Sequence, residues 1–229
     1  GASITDNNLL SQAMKSHAYK HLPDCDLILL ITKPQSSYNY EMKILDQINE
    51  AKIKYLLCVN KIDLDLSESY KDKLYDQLKI TCHLSISIKD SIGIDNLLSV
   101  IEKYVKGKNN IKRNSTNKNN EKNIIQELIR ESLINRTNKE VPYESAICIK
   151  DIQNKKNSYV IKADVIVSKQ NHKKIIIGKN GDMIKKIGVI SRKKIEEYFN
   201  KKIHLSLFVV VKENWKNDTD ILKELGYID

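Results

Sequence analysis

A polar segment near the middle of the chain constrains the fold most, because it separates two parts with different patterns. Residues 106–123, KGKNNIKRNSTNKNNEKN, consist mainly of lysine, asparagine, serine and threonine and show no apolar periodicity. Such a segment buries too little apolar surface to offset the entropy that is lost when it becomes ordered. It therefore predicts a linker over 107–122, between a first domain at 1–106 and a second domain at 123–229.

The two predicted domains differ in charge. The 229 residues carry 39 Lys and Arg and 29 Asp and Glu, which gives a net charge of +10. Residues 1–106 hold 13 basic and 14 acidic residues, whereas residues 107–229 hold 26 basic and 15 acidic residues. The excess positive charge favours a polyanionic partner for the second domain alone, either nucleic acid or an anionic membrane surface.

Several protein classes are excluded by other features of the composition. No apolar run approaches the roughly 20 residues of a membrane-spanning helix, and the first residues do not resemble a secretory signal. The histidines form no pattern of metal ligands, so we expect no metal held by side chains alone. The cysteines include no CxxC pair and are expected to be buried free thiols: Cys25, Cys58, Cys82 and Cys148.

The first domain alternates apolar runs with amphipathic segments. Apolar runs at 26–32, 54–60 and 82–87 predict strands, with helices between them and after them, and a further helix at 6–20. Strands that are apolar on both faces and separated by helices predict a parallel sheet covered on both sides. The first domain is therefore predicted to be α/β.

The second domain has a different order of elements, helix–strand–strand–helix–helix–strand. The predicted elements are a helix at 124–135, strands at 141–152 and 158–168, a glycine segment at 173–188, a basic helix at 190–200, a strand at 203–212 and a last helix. This order predicts an α+β domain with one sheet and helices on one face.

The motif NKID, residues 60–63, directly follows a predicted strand, at the sheet edge where α/β proteins bind ligands. The carboxylate of Asp63 can accept two hydrogen bonds from guanine, while Lys61 can lie across the base and Asn60 can tie neighbouring loops together. After the next strand come Ser87, Ile88 and Lys89. The pair resembles the base-recognition motifs of translation-factor-like GTPases, with Ile88 in place of a small alanine. The resemblance implies that the backbone N–H at this position contacts the base, which the change to isoleucine does not remove. Two unrelated polar strand ends are the alternative interpretation.

Gly178 and Gly181 lie three positions apart in KKIIIGKNGDMIKKIG, residues 173–188. Three interpretations are a phosphate-binding loop of a nucleotide enzyme, a backbone clamp for RNA and an ordinary turn. A phosphate loop would follow a buried parallel strand, and the sequence contains no GxxxxGK[ST] motif. The segment instead resembles the GxxG loop of KH domains, which clamps about four nucleotides.

Candidate RNA-binding residues surround the two glycines. Without side chains at these positions a phosphodiester can approach the backbone, while Lys179 supplies charge and Asn180 a hydrogen bond. An apolar floor for unstacked bases is predicted from Ile175, Ile177 and Met183. The basic candidates are Lys173, Lys174, Lys185, Lys186 and Arg192, with additional charge from Lys193 and Lys194.

Taken together, these motifs resemble the Era family of ribosome-assembly GTPases over nearly the whole chain except the linker. The segments that carry the resemblance are DCDLILLIT, NKID, VPYE, KIIIGKNGDMIKKIG, RKKIEEYF, HLSLFVVVKENW and LKELGYID. The resemblance implies the C-terminal part of a GTPase domain, with a partial P-loop GTPase-like parallel sheet. It also implies a following type II KH domain of order αββααβ.

The same resemblance implies GTP or GDP with Mg²⁺ as ligands of the full-length protein. It implies capture of single-stranded small-subunit rRNA near its 3′ end and a role in small ribosomal subunit assembly. Because the P-loop motif is absent, we expect this chain alone to bind nucleotide poorly and not to hydrolyse GTP.

The alternative function is a non-catalytic RNA-binding or ribosome-associated protein whose first domain is only a scaffold. A protein that binds the membrane surface is a third interpretation and is less favoured than these two. The bias toward lysine and asparagine suggests a eukaryote with an AT-rich genome, for which the resemblance implies an organelle. A cytoplasmic location is expected otherwise.

Overall fold

The computed structural model divides into two compact units. One unit is Ser16–Lys112, and the other is Arg113–Asp229 together with Gly1–Lys15. The structure describes these residues: 7–21, 25–35, 37–64, 69–80, 83–105, 118–138 and 140–228.

The beginning of the chain groups with the second unit, whereas the sequence placed it in a domain at 1–106. Leu10 is buried in a cluster with Trp215 and Leu222, which lie near the end of the chain. The N–H of Leu9 also donates to the side-chain oxygen of Asn217 at 2.9 Å. These contacts join segments about 200 residues apart, and the local pattern of the sequence carries no signal for them.

The first unit contains a three-stranded parallel sheet in the order β1–β2–β3. Its elements are β1 (Ile28–Thr32), α2 (Asn39–Glu50), β2 (Tyr55–Val59), α3 (Tyr70–Leu78), β3 (Leu84–Ser85) and α4 (Ile94–Val105), and α1 (Leu9–His21) precedes them in the chain. This alternation confirms the predicted α/β class. Parallel pairing also brings the carboxyl ends of the three strands to one edge of the sheet.

The two faces of this sheet are covered unequally. One face is buried beneath α2 and α3 through Tyr38, Leu57, Val59, Tyr70 and Leu74. On the other face, Cys58 and Ile86 pack with Leu97 of α4. Leu29 and Ile31 of β1 remain 36% and 50% exposed. The predicted coverage on both sides is therefore wrong for β1, because the buried cluster beneath α4 includes residues of β2 and β3 and not of β1.

The second unit contains a sheet in the order β4–β5–β6, in which β4 is antiparallel and β6 parallel to β5. Its elements are α5 (Lys118–Ile134), β4 (Ser145–Lys155), β5 (Ser158–Val167), α6 (Gln170–Ile177), α7 (Asp182–Phe199), β6 (Lys202–Val211) and α8 (Thr219–Glu224). This is the predicted αββααβ order followed by a last helix. No helix in the described ranges is long and apolar enough to cross a membrane.

Two boundaries in the second unit differ from the prediction. Helix α5 begins at Lys118, inside the predicted linker 107–122, whose residues up to 117 lie outside the described residues. Strand β4 continues to Lys155, so the hairpin turn has only two residues, Lys156 and Asn157. Both elements extend through polar residues because main-chain hydrogen bonds continue the helix and the strand pairing beyond the apolar pattern.

The sheet of the second unit is covered on both faces. Alternate residues of β5, Ile161, Ala163 and Val165, are buried in the core with residues of α5, α6 and α7. Ile166 points to the opposite face and packs with Trp215 and with residues of α8. The expectation of helices on one face is therefore wrong, because the C-terminal helix covers the other face.

Cysteine burial follows the prediction only in part. Cys58 and Cys148 are free and buried, as expected, and burial raises the pKa of the Cys148 thiol to about 11. Cys25 is exposed, so the prediction of burial is wrong for this residue. Cys82 lies outside the described residues.

Two buried helical serines give a matched test of core polarity. Ser132 donates its hydroxyl to the carbonyl of Leu128 at 2.9 Å, whereas the hydroxyl of Ser191 has no partner among the described residues. An unsatisfied buried hydroxyl is destabilising by about 1–3 kcal/mol. We expect Ser191→Ala to raise the free energy of unfolding in urea by about 1 kcal/mol, and Ser132→Ala to leave it unchanged or lower it. Equal effects of the two substitutions would contradict this.

Candidate functional site

Two polar loops at the carboxyl ends of β2 and β3 are joined by hydrogen bonds. The N–H of Asn60 donates to the carbonyl of Thr32, at the end of β1, at 2.8 Å. The Oδ1 atom of Asn60 accepts from the N–H of Lys61 at 2.8 Å and from the N–H of Ile88 at 3.1 Å. Asn60 thus ties together the ends of three neighbouring strands.

The second loop also holds the carboxylate of Asp63. The buried hydroxyl of Ser87 donates to Asp63 Oδ1 at 2.7 Å and accepts from the N–H of Asp90 at 3.2 Å. Lys89 Nζ lies 3.7 Å from Asp63 Oδ2. The hydrogen bond from Ser87 is the main cause of a pKa of Asp63 below its ordinary value. The carboxylate is therefore ionised near neutral pH, and Ser87 fixes its orientation.

Gly93 shapes this second loop and was not identified from the sequence. It has φ +73°, and a Cβ atom there would lie 2.6 Å from the carbonyl oxygen of Ser85. Ser87 and Ile92 exchange two backbone hydrogen bonds of 3.0 and 2.9 Å across the loop. A lone glycine between a strand and a helix is the sequence signal that points to such a turn.

This edge of the sheet has the chemistry for recognising guanine. The two oxygens of Asp63 can accept hydrogen bonds from the N1–H and the exocyclic amine of the base. Lys61, between Asn60 and Asp63, is exposed at φ +64°. The N–H of Ile88, which the resemblance assigns to the base, donates to Asn60 instead, and the Ile88 side chain is 58% exposed. The contacts of Lys61, Ile88 and Lys89 with a base stay predictions.

The described residues supply no comparable site for phosphate or metal. Within the described ranges, no group of three or more His, Cys, Asp or Glu residues could hold a metal ion. The sequence contains no GxxxxGK[ST] segment to cradle phosphates and to provide the hydroxyl ligand of Mg²⁺. Within the described residues, the groups with chemistry suited to a nucleotide therefore lie in the loops after β2 and β3.

In the second unit, the glycine pair forms a tight turn between α6 and α7. Gly178 follows α6 at φ +73° and ψ −179°, a conformation essentially restricted to glycine. A Cβ atom at this position would lie 2.7 Å from the Cβ of Met183 and 2.9 Å from its backbone nitrogen. The turn requires glycine here because Met183 packs directly against it.

Gly181, unlike Gly178, has open space where a side chain would begin. It precedes α7 at φ +81°, and a Cβ atom there would meet no described atom within 4 Å. Asn180 also has a left-handed backbone, at φ +52°, and both Asn180 and Lys179 are exposed. The loop is therefore open at Gly181, as a clamp for a phosphodiester requires.

A groove lies between the first turns of α7 and strand β6. Its lining combines apolar and basic residues: Ile184, Lys185, Gly188, Val189, Arg192, Leu205 and Leu207. A Cβ atom at Gly188 would lie 3.8 Å from Leu207 Cδ1, so this glycine keeps the space between helix and strand free. An apolar surface flanked by two cations suits unstacked bases and their phosphates.

The predicted RNA-binding residues lie in different places. Lys185 and Arg192 line the groove, whereas Lys186 lines an adjoining hollow that contains Arg136 and shares Lys185 and Val189 with the groove. Met183 packs against the buried core beneath the turn. Other apolar residues form the groove floor in its place.

The basic and apolar residues of α6 contribute less directly to the groove. Ile175 is 48% exposed, Ile177 and Lys173 are half-buried, and Lys174 is exposed. None of these four belongs to the groove lining. Their contacts with RNA stay predictions.

Two residues of α7 that were expected to add positive charge also differ from each other. Lys194 forms an ion pair of 2.6 Å with Glu131 of α5, so its charge is neutralised where the two helices pack together. Lys193 is exposed.

Most residues that line the groove were not identified as candidates from the sequence. Gly188 could have been noticed, since glycine within a helix is about 1 kcal/mol less favourable than alanine and is often retained for close packing. Leu205 and Leu207 alternate along β6, but the sequence does not say which strand face meets α7.

Comparison with known proteins finds one family that matches part of the second unit and relatives that match nearly the whole chain. The pattern of the KH domain family matches residues 140–216, which include β4, β5, β6 and the glycine turn. The GTPase Era of Lactobacillus helveticus (strain DPC 4571) is 34% identical over 227 residues, covering 95% of this chain and 74% of the relative. This chain belongs to the Era GTPase family. The Era of Clostridium tetani (strain Massachusetts / E88) is 33% identical over 230 residues, covering 95% of this chain and 76% of that protein.

Two solved Era structures are similar to this Era-family chain. An Aquifex aeolicus Era variant bound to GDP·AlF4⁻ has a TM-score of 0.82 and 25% identity, covering 100% of this chain and 79% of that one. An Era in complex with MgGDPNP and nucleotides 1506–1542 of 16S ribosomal RNA has a TM-score of 0.80 and 25% identity. The match covers 97% of this chain and 77% of that one. The predicted fold, a GTPase-like parallel sheet followed by a type II KH domain, is confirmed.

The two glycines of this Era-family chain are expected to differ in what a methyl group does to stability. Gly178→Ala introduces both a clash with Met183 and a strained backbone, so we expect unfolding in urea to require about 3 kcal/mol less free energy. Gly181→Ala adds backbone strain alone, so we expect its free energy of unfolding to fall by only about 1 kcal/mol. A similar loss for both variants would show that Met183 does not constrain the turn.

Proposed function

We propose that this Era-family chain captures single-stranded small-subunit rRNA near its 3′ end through its KH domain, during assembly of the small ribosomal subunit. The observation that carries the proposal is the open backbone at Gly181, at the head of an apolar groove with a basic rim. A strand whose phosphates pass over Gly181 can place its bases in the groove beside α7.

Three features of the groove support a single strand over a duplex. The floor is apolar, at Val189, Leu205 and Leu207, which favours unstacked bases over paired ones. Lys185 and Arg192 supply charge beside the floor rather than across a broad flat surface. A loop of the GxxG type holds about four nucleotides, which suits a groove bounded by one helix and one strand.

A similar Era was solved with nucleotides 1506–1542 of 16S ribosomal RNA and with MgGDPNP, and another was solved with GDP·AlF4⁻. These partners support the same class of RNA and of nucleotide for this chain. For the nucleotide, hydrogen bonds from Ser87 and from the N–H of Ile88 hold Asp63 and Asn60 in place. We propose guanine recognition at this edge of the sheet.

Catalysis is not expected from the 229 residues by themselves. Hydrolysis of GTP needs a phosphate-cradling loop and a bound Mg²⁺, and the sequence lacks GxxxxGK[ST]. A second candidate is that the chain acts on the ribosome as an RNA-binding protein with a G-domain scaffold. The two candidates share the RNA interface and differ in whether the base site binds nucleotide.

The RNA proposal is tested by a negative side chain at the open glycine. We expect Gly181→Asp to abolish binding to 16S rRNA nucleotides 1506–1542 in fluorescence anisotropy. The added carboxylate would occupy the place of a phosphate and repel the next one. Binding by the unmodified chain should weaken as salt rises, because released counterions supply much of the affinity.

Gly226 provides the matched control for this substitution. It has φ +80°, almost the same as Gly181, and a Cβ atom there would also meet no described atom within 4 Å. Gly226→Asp therefore adds the same charge and similar strain at the end of α8. It should bind RNA like the unmodified chain. If both variants bind normally, or both lose binding to the same extent, the groove is not the RNA site.

The base preference is tested by exchanging hydrogen-bond acceptors for donors. In the unmodified chain, we expect GDP at millimolar concentration to shift the NMR amide signals of Lys61 and Ile88 more than ADP does. In Asp63→Asn the amide can donate to xanthine, so XDP should become the preferred ligand. Equal shifts with GDP and ADP would favour the scaffold interpretation.

A further inference from the structure

A second basic hollow lies at the far end of α7 from the glycine turn. It is formed by two short segments, the β4–β5 hairpin turn and the connection from α7 to β6. The N–H of Lys202 donates to the carbonyl of Asn157 at 3.3 Å, which holds the two segments together. The lining residues are Lys156, Asn157, Glu196, Asn200, Lys201 and Lys202, and Lys155 ends the strand beside them.

The lysines of this hollow are not neutralised by the protein. Within the described residues, Lys155, Lys156, Lys201 and Lys202 form no ion pair, unlike Lys194, which lies 2.6 Å from Glu131. This difference indicates charge available for an anionic ligand.

Contacts inside the hollow strengthen this arrangement. Lys201 is positioned by Asn154 at 3.0 Å and by the ring of Tyr159, whose centroid is 4.5 Å from Nζ. The one carboxylate in the lining, Glu196, accepts from the N–H of Ile203 at 3.1 Å, and so its charge is partly used to cap the strand. The lining therefore holds three lysines, Lys156, Lys201 and Lys202, and one engaged carboxylate.

The hollow lies next to the groove described above, one helical turn further along α7. Arg192 lines the groove, and its Nε lies 4.0 Å from Glu196 Oε2, one helical turn further along α7. A strand of RNA that leaves the groove in this direction reaches the hollow within a few nucleotides.

We propose that this hollow binds the phosphates of the RNA strand just outside the groove, extending the footprint beyond the nucleotides held near the glycine turn. The inference rests on the proposed RNA-binding function. Lysine ammonium groups supply charge without reading a base, while Asn157 and Asn200 offer hydrogen bonds to sugar or base edges. The partner is the same single strand, and the site adds length and affinity to its binding.

The test compares short and long RNA on one variant. Nested segments of 16S rRNA nucleotides 1506–1542 first define the shortest RNA that binds the chain, and a second probe carries six more nucleotides on each side. In Lys156→Gln/Lys202→Gln we expect about tenfold weaker binding of the long probe, as for two lost phosphate contacts, and an unchanged Kd for the short one. The slope of log K against log salt for the long probe should fall by about 1.4, from roughly 0.7 per contact.

Lys162→Gln/Lys223→Gln is the control, because it removes two exposed lysines elsewhere in the same unit. It should leave both affinities close to those of the unmodified chain. Equal losses for the short and the long probe, or losses equal to those of the control, would overturn the proposal. Gly181→Asp separates the two hypotheses. If it has no effect on either probe, the proposed function fails, whereas a normal long-probe affinity in the Lys156/Lys202 variant refutes only the extended footprint.

Discussion

The contact between Gly178 and Met183 is the constraint on which the surface of the second unit depends. Met183 packs so closely that a single methyl group on Gly178 could not be accommodated, and Met183 is itself packed against the buried core. The core thus fixes where α6 ends and α7 begins. Because the turn is held from beneath, Gly181 can stay open to solvent, and α7 is aimed along β6 to form the groove.

Ion pairs in the second unit neutralise lysines that lie close to its core. Lys194 binds Glu131 between two helices, and Lys216 lies 2.6 Å from Glu144. Such pairs neutralise charge near the core, whereas Lys185 at the groove edge has an exposed side chain. In the first unit the polar loops bind one another, since Ser87 donates to Asp63. A loop that is already ordered loses less entropy when it binds a ligand.

Much of the fold could be predicted because its signals are local. Apolar runs at 54–60 and 158–168 appear as strands β2 and β5, and the order αββααβ follows from hydrophobic periodicity with turns between the segments. The failures occurred where distant segments decide burial. The sequence predicted that the strand containing Leu29 and Ile31 is covered on both faces. These two side chains are instead exposed, because α4 covers only the neighbouring strands.

The sequence by itself determined the two motifs and the uneven distribution of charge, because residue type and short spacing are sufficient for NKID and for Gly178–Gly181. The tertiary structure decided what each residue at these motifs does. It placed Met183 beneath the turn, and it assigned the groove floor to Leu205 and Leu207 from a separate strand. Whether an apolar side chain lines a groove, fills a core or faces water depends on neighbours far away in the chain. Local periodicity contains no information about those neighbours.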